Sequence, residues 1–198
     1  AKFFAGKLPG VRYTQSENPN GLMDKPSVII CNHQSHLDLL PMLAFSEKLV
    51  ILTTDWVWND PFYGYIIRKA EYLPASKGID NIIPQLKSLA ERGYSIAVYP
   101  EGTRSTDCSI GRFHQGAFHI AGELGLDILP LVLYGSGHAL PKHGRILHRW
   151  PMHLEICRKI TCSELEAMGP TTREQASAMR EWYKEQYSLL ADKMEQDV

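Results

Sequence analysis

From residue 27 onward, short apolar runs alternate with longer segments of helical period, and that alternation limits the folds open to this chain. The runs at 27–31 (S-V-I-I-C), 49–53, 71–74, 95–99 (S-I-A-V-Y), 127–134 and 152–158 read as strands. Helices are expected at 35–46, 80–92, 114–124 and 172–195. Asp80 can cap the second of these, and Gly93 and Gly125 can stop the second and third. Strand and helix in turn predict an α/β domain with a mixed, largely parallel sheet flanked by helices. Ligand sites in such open sheets lie beyond the carboxyl ends of the strands, so the residues that follow the runs carry the functional information.

Two motifs sit at such ends. Residues 32–38, N-H-Q-S-H-L-D, follow the first run. Ser35 and Asp38 form an S-x-x-D pattern resembling a capping box, so a helix is expected to start at Ser35, with Pro41 arguing against a straight one. His33 would then lie at the positive end of a helix, which disfavours imidazolium and keeps the ring a base. Asp38, five residues on, can accept from one ring nitrogen, fix the tautomer and stabilise the imidazolium that forms. In the plainer alternative, Asp38 caps the helix and His33 is a loop residue. The second motif, Y-P-E-G-T-R-S at 99–105, follows S-I-A-V-Y. Gly102 permits close backbone approach to a ligand, Arg104 can hold a phosphate bidentately and Thr103 can add a hydroxyl contact. A surface turn with a Glu101–Arg104 ion pair is the plainer alternative here.

The two motifs in this order, 68 residues from His33 to Glu101, resemble the glycerolipid acyltransferase family, whose best-known members are lysophosphatidic acid acyltransferases. That family carries N-H-x4-D first and F-P-E-G-T-R-S later; here Tyr99 replaces the phenylalanine. An apolar strand with a central proline, I-L-P-L-V-L at 128–133, matches a third landmark, and the resemblance runs from about Lys25 to about Ile160. It implies a glycerolipid acyltransferase-like fold and transfer of a fatty acyl group from acyl-CoA or acyl-carrier protein to a lysophospholipid hydroxyl, for example on 1-acylglycerol-3-phosphate. His33 would be the general base, Asp38 its orienter, and Glu101, Gly102, Thr103 and Arg104 the groups that position the phosphate-bearing acceptor. No metal, organic cofactor or enzyme nucleophile is required. One landmark departs: the family's arginine between the main motifs falls at Ala75 or Ser76, with Lys77 or Arg68 as substitutes.

At 198 residues, with 44% hydrophobic and 22% charged, the chain is long enough for one sizeable core. A net charge of −1 gives no electrostatic case for nucleic acid, and membrane contact must be local. The four cysteines lack a C-x-x-C and read as thiols in a reducing compartment. No apolar run approaches the roughly 18 residues of a spanning helix. Weak peripheral attachment at the cytoplasmic face of a membrane is therefore expected, with the chain a domain of a longer, membrane-associated polypeptide. Residues 1–26 read as a lead-in or linker and 27–198 as the acyltransferase domain. The aromatic stretch 55–65, with Trp56, Trp58, Phe62, Tyr63 and Tyr65, and the pair Phe3 and Phe4 are the candidate lipid contacts. Aromatics more often pack in a core than meet a ligand, so core packing comes first for those of 55–65 and lipid contact is its alternative.

In the last helix, Thr171 and Glu174 form another capping box, and Ala176, Met179, Tyr183, Tyr187, Leu190 and Met194 recur at helical spacing as a packing face. His138, His143, His148 and His153 recur every five residues, which suits neither one helix face nor one strand face for a metal. G-S-G-H at 135–138 is not a nucleophile elbow. Two other classes compete with an enzyme: a non-catalytic lipid- or phosphate-binding module, and an interaction domain of a larger lipid-synthesis or lipid-export protein.

Overall fold

β2 (Val28–Cys31) runs through the middle of the sheet, and its four residues are buried. Val28 and Ile30 point into one apolar layer and Ile29 and Cys31 into the other, so an unbroken apolar run is what a strand covered on both faces needs. Each such aliphatic side chain contributes about 1.5–3 kcal/mol on burial. The computed structural model describes residues 10–18, 21–53, 73–74 and 78–196.

Seven strands are found among the described residues, in the order β1-β7-β6-β2-β5-β3-β4. The others are β1 (Val11–Gln15), β3 (Leu49–Thr53), β4 (Leu73–Pro74), β5 (Ser95–Val98), β6 (Ile128–Tyr134) and β7 (Trp150–Ile156). All neighbours are parallel except β6 and β7. This is the mixed, largely parallel α/β sheet expected from the alternation.

One face of the sheet packs on α2 (Ile79–Glu91), α3 (Gly116–Leu124), α5 (Cys162–Ala167) and α6 (Thr172–Gln196), through Leu86, Phe118, Leu165 and Met179 among others. The other is covered by a 3₁₀ turn (His36–Asp38) and α1 (Leu39–Phe45), through Leu37, Met42 and Phe45. A one-turn helix, α4 (Ser136–Ala139), follows β6. Its turn needs Gly135, at φ +87°, because any Cβ there would strike the Pro151 carbonyl.

Several details differ from the sequence expectations. Segment 1–26 supplies β1, an edge strand paired with β7 from Val11↔Trp150 to Gln15↔Leu154. Only Val11 of β1 is buried, which is why no period showed in the sequence. β7 starts at Trp150 and ends at Ile156, short of residue 158. Asp80 does not cap α2; the N-cap is Gly78, and the Asp80 carboxylate lies 2.7 Å from His119 Nε2 on α3. Gly93 and Gly125, both at positive φ, do end α2 and α3. The Thr171–Glu174 capping box is formed, and Ala176, Met179, Tyr183, Leu190 and Met194 face the core with Tyr187 packed beside them. The aromatic stretch 55–65, Phe3 and Phe4, and Arg68, Ala75, Ser76 and Lys77 lie outside the described residues.

Candidate active site

β2 ends where β6 continues, and Asn32 bridges the gap. Its side chain imitates a backbone rung, donating to the Leu133 carbonyl and accepting from the Leu133 amide, both at 2.8 Å. This fixes the next residue, His33, at the carboxyl end of the sheet. The chain then turns at Ser35, whose hydroxyl accepts from the Leu37 amide, and the Ser35–Asp38 capping box is formed as the sequence predicts. The turn is 3₁₀ over His36–Asp38 before α1 begins at Leu39. Pro41 therefore falls in the first turn of α1, where a missing N–H costs little.

Asp38 is 1% exposed and holds this junction together. Its Oδ2 lies 2.8 Å from His33 Nδ1 and accepts from the amides of Gln34 at 2.7 Å and Ser35 at 2.9 Å. Two backbone N–H groups and the ring nitrogen thus converge on one oxygen, which keeps a buried carboxylate satisfied on that side. The His33 ring keeps 22% of its surface open, so its other nitrogen can meet a ligand.

The second motif is built onto the first. The His33 amide donates to Glu101 Oε1 at 2.8 Å, and the Ser105 amide donates to the His33 carbonyl at 2.7 Å. The Tyr99 ring stacks on the His33 ring at 4.2 Å between centroids, and its hydroxyl donates to the Asp38 carbonyl at 3.0 Å. Four contacts across 61 to 72 residues of sequence therefore bring together His33, Asp38 and the 99–105 block.

Glu101 faces inward. It is 5% exposed, and its second oxygen accepts from the Gly111 amide at 2.7 Å. Burial pushes its carboxyl above the ordinary value, although the two amides and His33 favour the charged form. It can act on a ligand only through the loops it braces. No ion pair joins it to Arg104.

Gly102 and Thr103 are exposed, and Gly102 takes φ +66°, where a Cβ would crowd the His114 ring at 3.2 Å. Arg104 is half-buried; one arm of its guanidinium donates to the Lys142 carbonyl at 2.9 Å. Partial desolvation lowers its affinity for the proton, and the Asp38 charge opposes that. Lys142 Nζ donates to Thr103 Oγ1 at 3.1 Å, which adds a second cation to the same rim. No sequence signal marks Lys142, which lies in an irregular connection with no motif around it. Tyr99, which stands where the family motif has phenylalanine, makes a hydroxyl bond that phenylalanine could not make.

Behind the site, the fully buried Tyr183 hydroxyl of α6 donates to the carbonyls of Ile30 at 2.7 Å and Leu131 at 3.2 Å. The end of the sheet is thereby tied to the longest helix. Among the described residues, no group of three or more His, Cys, Asp or Glu side chains is arranged to hold a metal.

A partly open imidazole oriented by a buried carboxyl group, beside an exposed rim of glycine, hydroxyl, guanidinium and ammonium, is equipped to take a proton from a hydroxyl and to hold an anion nearby. Several known proteins resemble this chain. The chain is 29% identical over 144 residues to a chloroplastic 1-acyl-sn-glycerol-3-phosphate acyltransferase of Arabidopsis thaliana, covering 66% of this chain and 40% of that one. It is 29% identical over 153 residues to the 1-acyl-sn-glycerol-3-phosphate acyltransferase of Saccharomyces cerevisiae, covering 73% of this chain and 50% of that one. The chain thus spans half or less of the length of these relatives. The crystal structure of a 1-acyl-sn-glycerophosphate acyltransferase from Thermotoga maritima superposes with a TM-score of 0.75 at 22% identity, covering 90% of this chain and 72% of that one, so the fold is shared. The sequence model of the Acyltransferase family matches residues 10–134, which include both motifs. The chain belongs to the acyltransferase family.

Proposed function

We infer that this chain transfers a fatty acyl group from an acyl thioester to a hydroxyl of a lysophospholipid, with 1-acylglycerol-3-phosphate as the acceptor type. The observation that carries the reading is the His33–Asp38 pair at 2.8 Å, with its ring clamped against the 99–105 block. In the proposed mechanism the acceptor hydroxyl gives its proton to His33 Nε2 as its oxygen attacks the thioester carbonyl. Asp38 holds the opposite nitrogen and stabilises the imidazolium. The tetrahedral adduct collapses, the carbon–sulfur bond breaks, and the imidazolium returns the proton to the leaving thiolate. A free thiol and a new ester result, with no acyl-enzyme.

In this reading Gly102, Thr103, Arg104 and Lys142 receive the acceptor's phosphate, and Glu101 holds their loop against His33. Coenzyme A and acyl-carrier protein are both suitable donors. Among the described residues, no helix is long and apolar enough to cross a membrane. Work at a membrane surface in a reducing compartment, the cytoplasmic face, fits the four free cysteines. The test is thiol release from acyl-CoA with a panel of lysophospholipids and with acceptor omitted. Release dependent on lysophosphatidate, and absent in His33→Ala, is expected. Equal release by the two proteins would overturn the reading.

A further inference from the structure

The connection between α4 and β7 crosses the mouth of the site. The Leu140 carbonyl accepts from the Ser35 hydroxyl at 2.7 Å, and the Lys142 carbonyl accepts from Arg104 at 2.9 Å. The far end folds back, with the His148 amide donating to the Ala139 carbonyl at 2.7 Å. β7 then starts at Trp150 on the active-site side, because it runs antiparallel to β6 and pairs His153 with Tyr134, the last residue of β6.

The composition of this connection is unlike the rest of the chain. Between Asp127 and Glu155 there is no carboxylate, while Lys142, Arg145 and Arg149 supply three fixed positive charges in a protein of net charge −1. Arg145 and Arg149 are exposed, and among the described residues neither pairs with a carboxylate. Arg149 lines an open hollow of about 430 Å³ with Gly10, Val11, Arg12 and Tyr13, so a fourth cation from β1 joins the face. The described residues include three exposed large apolar side chains, and two lie here: Ile146 at 71% and Trp150 at 37%.

We propose that residues 138–150, with Arg12, form the face by which the protein rests on an anionic phospholipid bilayer. Exposed arginines without carboxylates beside them are drawn to an anionic leaflet, and a bulky aliphatic side chain with an indole next to it suits the headgroup boundary. A soluble polyphosphate or an acidic carrier protein would use the cations but has less use for an aliphatic residue projecting from the loop. The inference deepens the acyl-transfer reading and rests on it for its purpose: docking here would hold the His33 mouth over the lipid acceptor. The binding itself can be measured independently.

Flotation with vesicles of phosphatidylcholine containing about one-third phosphatidylglycerol, and of phosphatidylcholine alone, tests it. The protein is expected to float with the anionic vesicles, weakly with the neutral ones, and less as salt rises. Each cation near such a surface is worth about fivefold in partition, so Arg145→Gln with Arg149→Gln should reduce it about 25-fold. Ile146→Ser should reduce it several-fold at any salt. Thiol release with a short-chain, monomeric acceptor should be unchanged in these variants, which also shows that they fold. Unchanged flotation of both variants would overturn the proposal. So would unchanged flotation with a raised KM for acyl-CoA or acyl-carrier protein, which would give the cations to the donor. If the wild type floats as described but releases no thiol with any acceptor, the transfer reading fails and the docking surface stands.

Discussion

Around His33 the polar atoms are held from several sides, whereas around Arg104 they are left open. Asp38 accepts three hydrogen bonds on one oxygen while 1% exposed, and the His33 amide and carbonyl are both bonded to the later motif. At the rim, Gly102 and Thr103 are exposed and one arm of Arg104 is engaged. The difference follows from the two tasks. A base must hold its tautomer and direction before the reaction starts, so its supports are buried and fixed. A phosphate brings its own charge and acceptors, so the groups that receive it must stay hydrated and available.

If the buried half is the chemical half, its loss should affect rate far more than binding. His33→Ala is expected to lower kcat by ~10²–10⁴ with little change in acceptor KM. The fold should survive, since the ring is partly exposed and its main-chain bonds remain; circular dichroism and a thermal melt check this. Near-normal turnover in a folded variant would break the division. Asp38→Asn should be nearly as severe in kcat and also cost about 1–2 kcal/mol of stability, because a neutral amide accepts the three bonds more weakly. Chemical denaturation alongside steady-state kinetics separates the two losses.

Glu101→Gln tests whether the brace belongs with the buried half. The amide can accept from one of the two N–H groups, and its own NH₂ then confronts the other. A cost of about 1–3 kcal/mol is expected, with a lowered kcat because His33 loses a backbone anchor. There is also a pH signature. Burial raises the Glu101 carboxyl above its unfolded value, so the native state holds the proton more tightly. Its contribution to stability is present at low pH and declines as pH rises from the ordinary carboxylate range through the raised value. Urea midpoints measured against pH should show that decline in the wild type and lack it in Glu101→Gln.

The legible parts of this architecture were those with local signatures. The apolar runs at 27–31 and 95–99 and the Ser35–Asp38 box announce themselves within a few residues, and a strand end next to a cap locates His33. What could not be read depends on distant partners. β1 buries one residue and is held by pairing with β7, more than a hundred residues away, so its sequence shows no period. Glu101 looks like a ligand-facing carboxylate until its two amide donors are seen, and Asp80 looks like a cap until His119 is found beside it. Lys142 reaches Thr103 from an irregular connection that no propensity describes. The T-x-x-E at 161–164 was a legible cap for α5 and could have located that helix.

The open half should respond in KM. Arg104→Ala is expected to raise acceptor KM about tenfold or more with a smaller fall in kcat. Arg104→Lys should recover part of the loss, because lysine keeps the charge but lacks the planar fork. Varying the acceptor at saturating donor decides it. If both KM and kcat are unchanged, the phosphate lies elsewhere, and the contrast between a fixed chemical half and an open binding half loses its second term.

The smallest effect expected is also the one that locates the boundary between the halves. Tyr99→Phe keeps the ring stacked on His33 and removes the 3.0 Å bond from the phenolic hydroxyl to the Asp38 carbonyl. That bond ties the first motif's turn to the second motif. If the stack alone positions the imidazole, phenylalanine should cost about 0.5–1.5 kcal/mol in stability and less than threefold in kcat. A thermal melt with kcat measured at saturating substrates provides both numbers. A loss of tenfold or more in kcat at unchanged stability would show that the hydroxyl sets the angle of the His33–Asp38 pair. Tyr99 would then count among the fixed supports of the base, and the buried half would extend one residue further toward the rim.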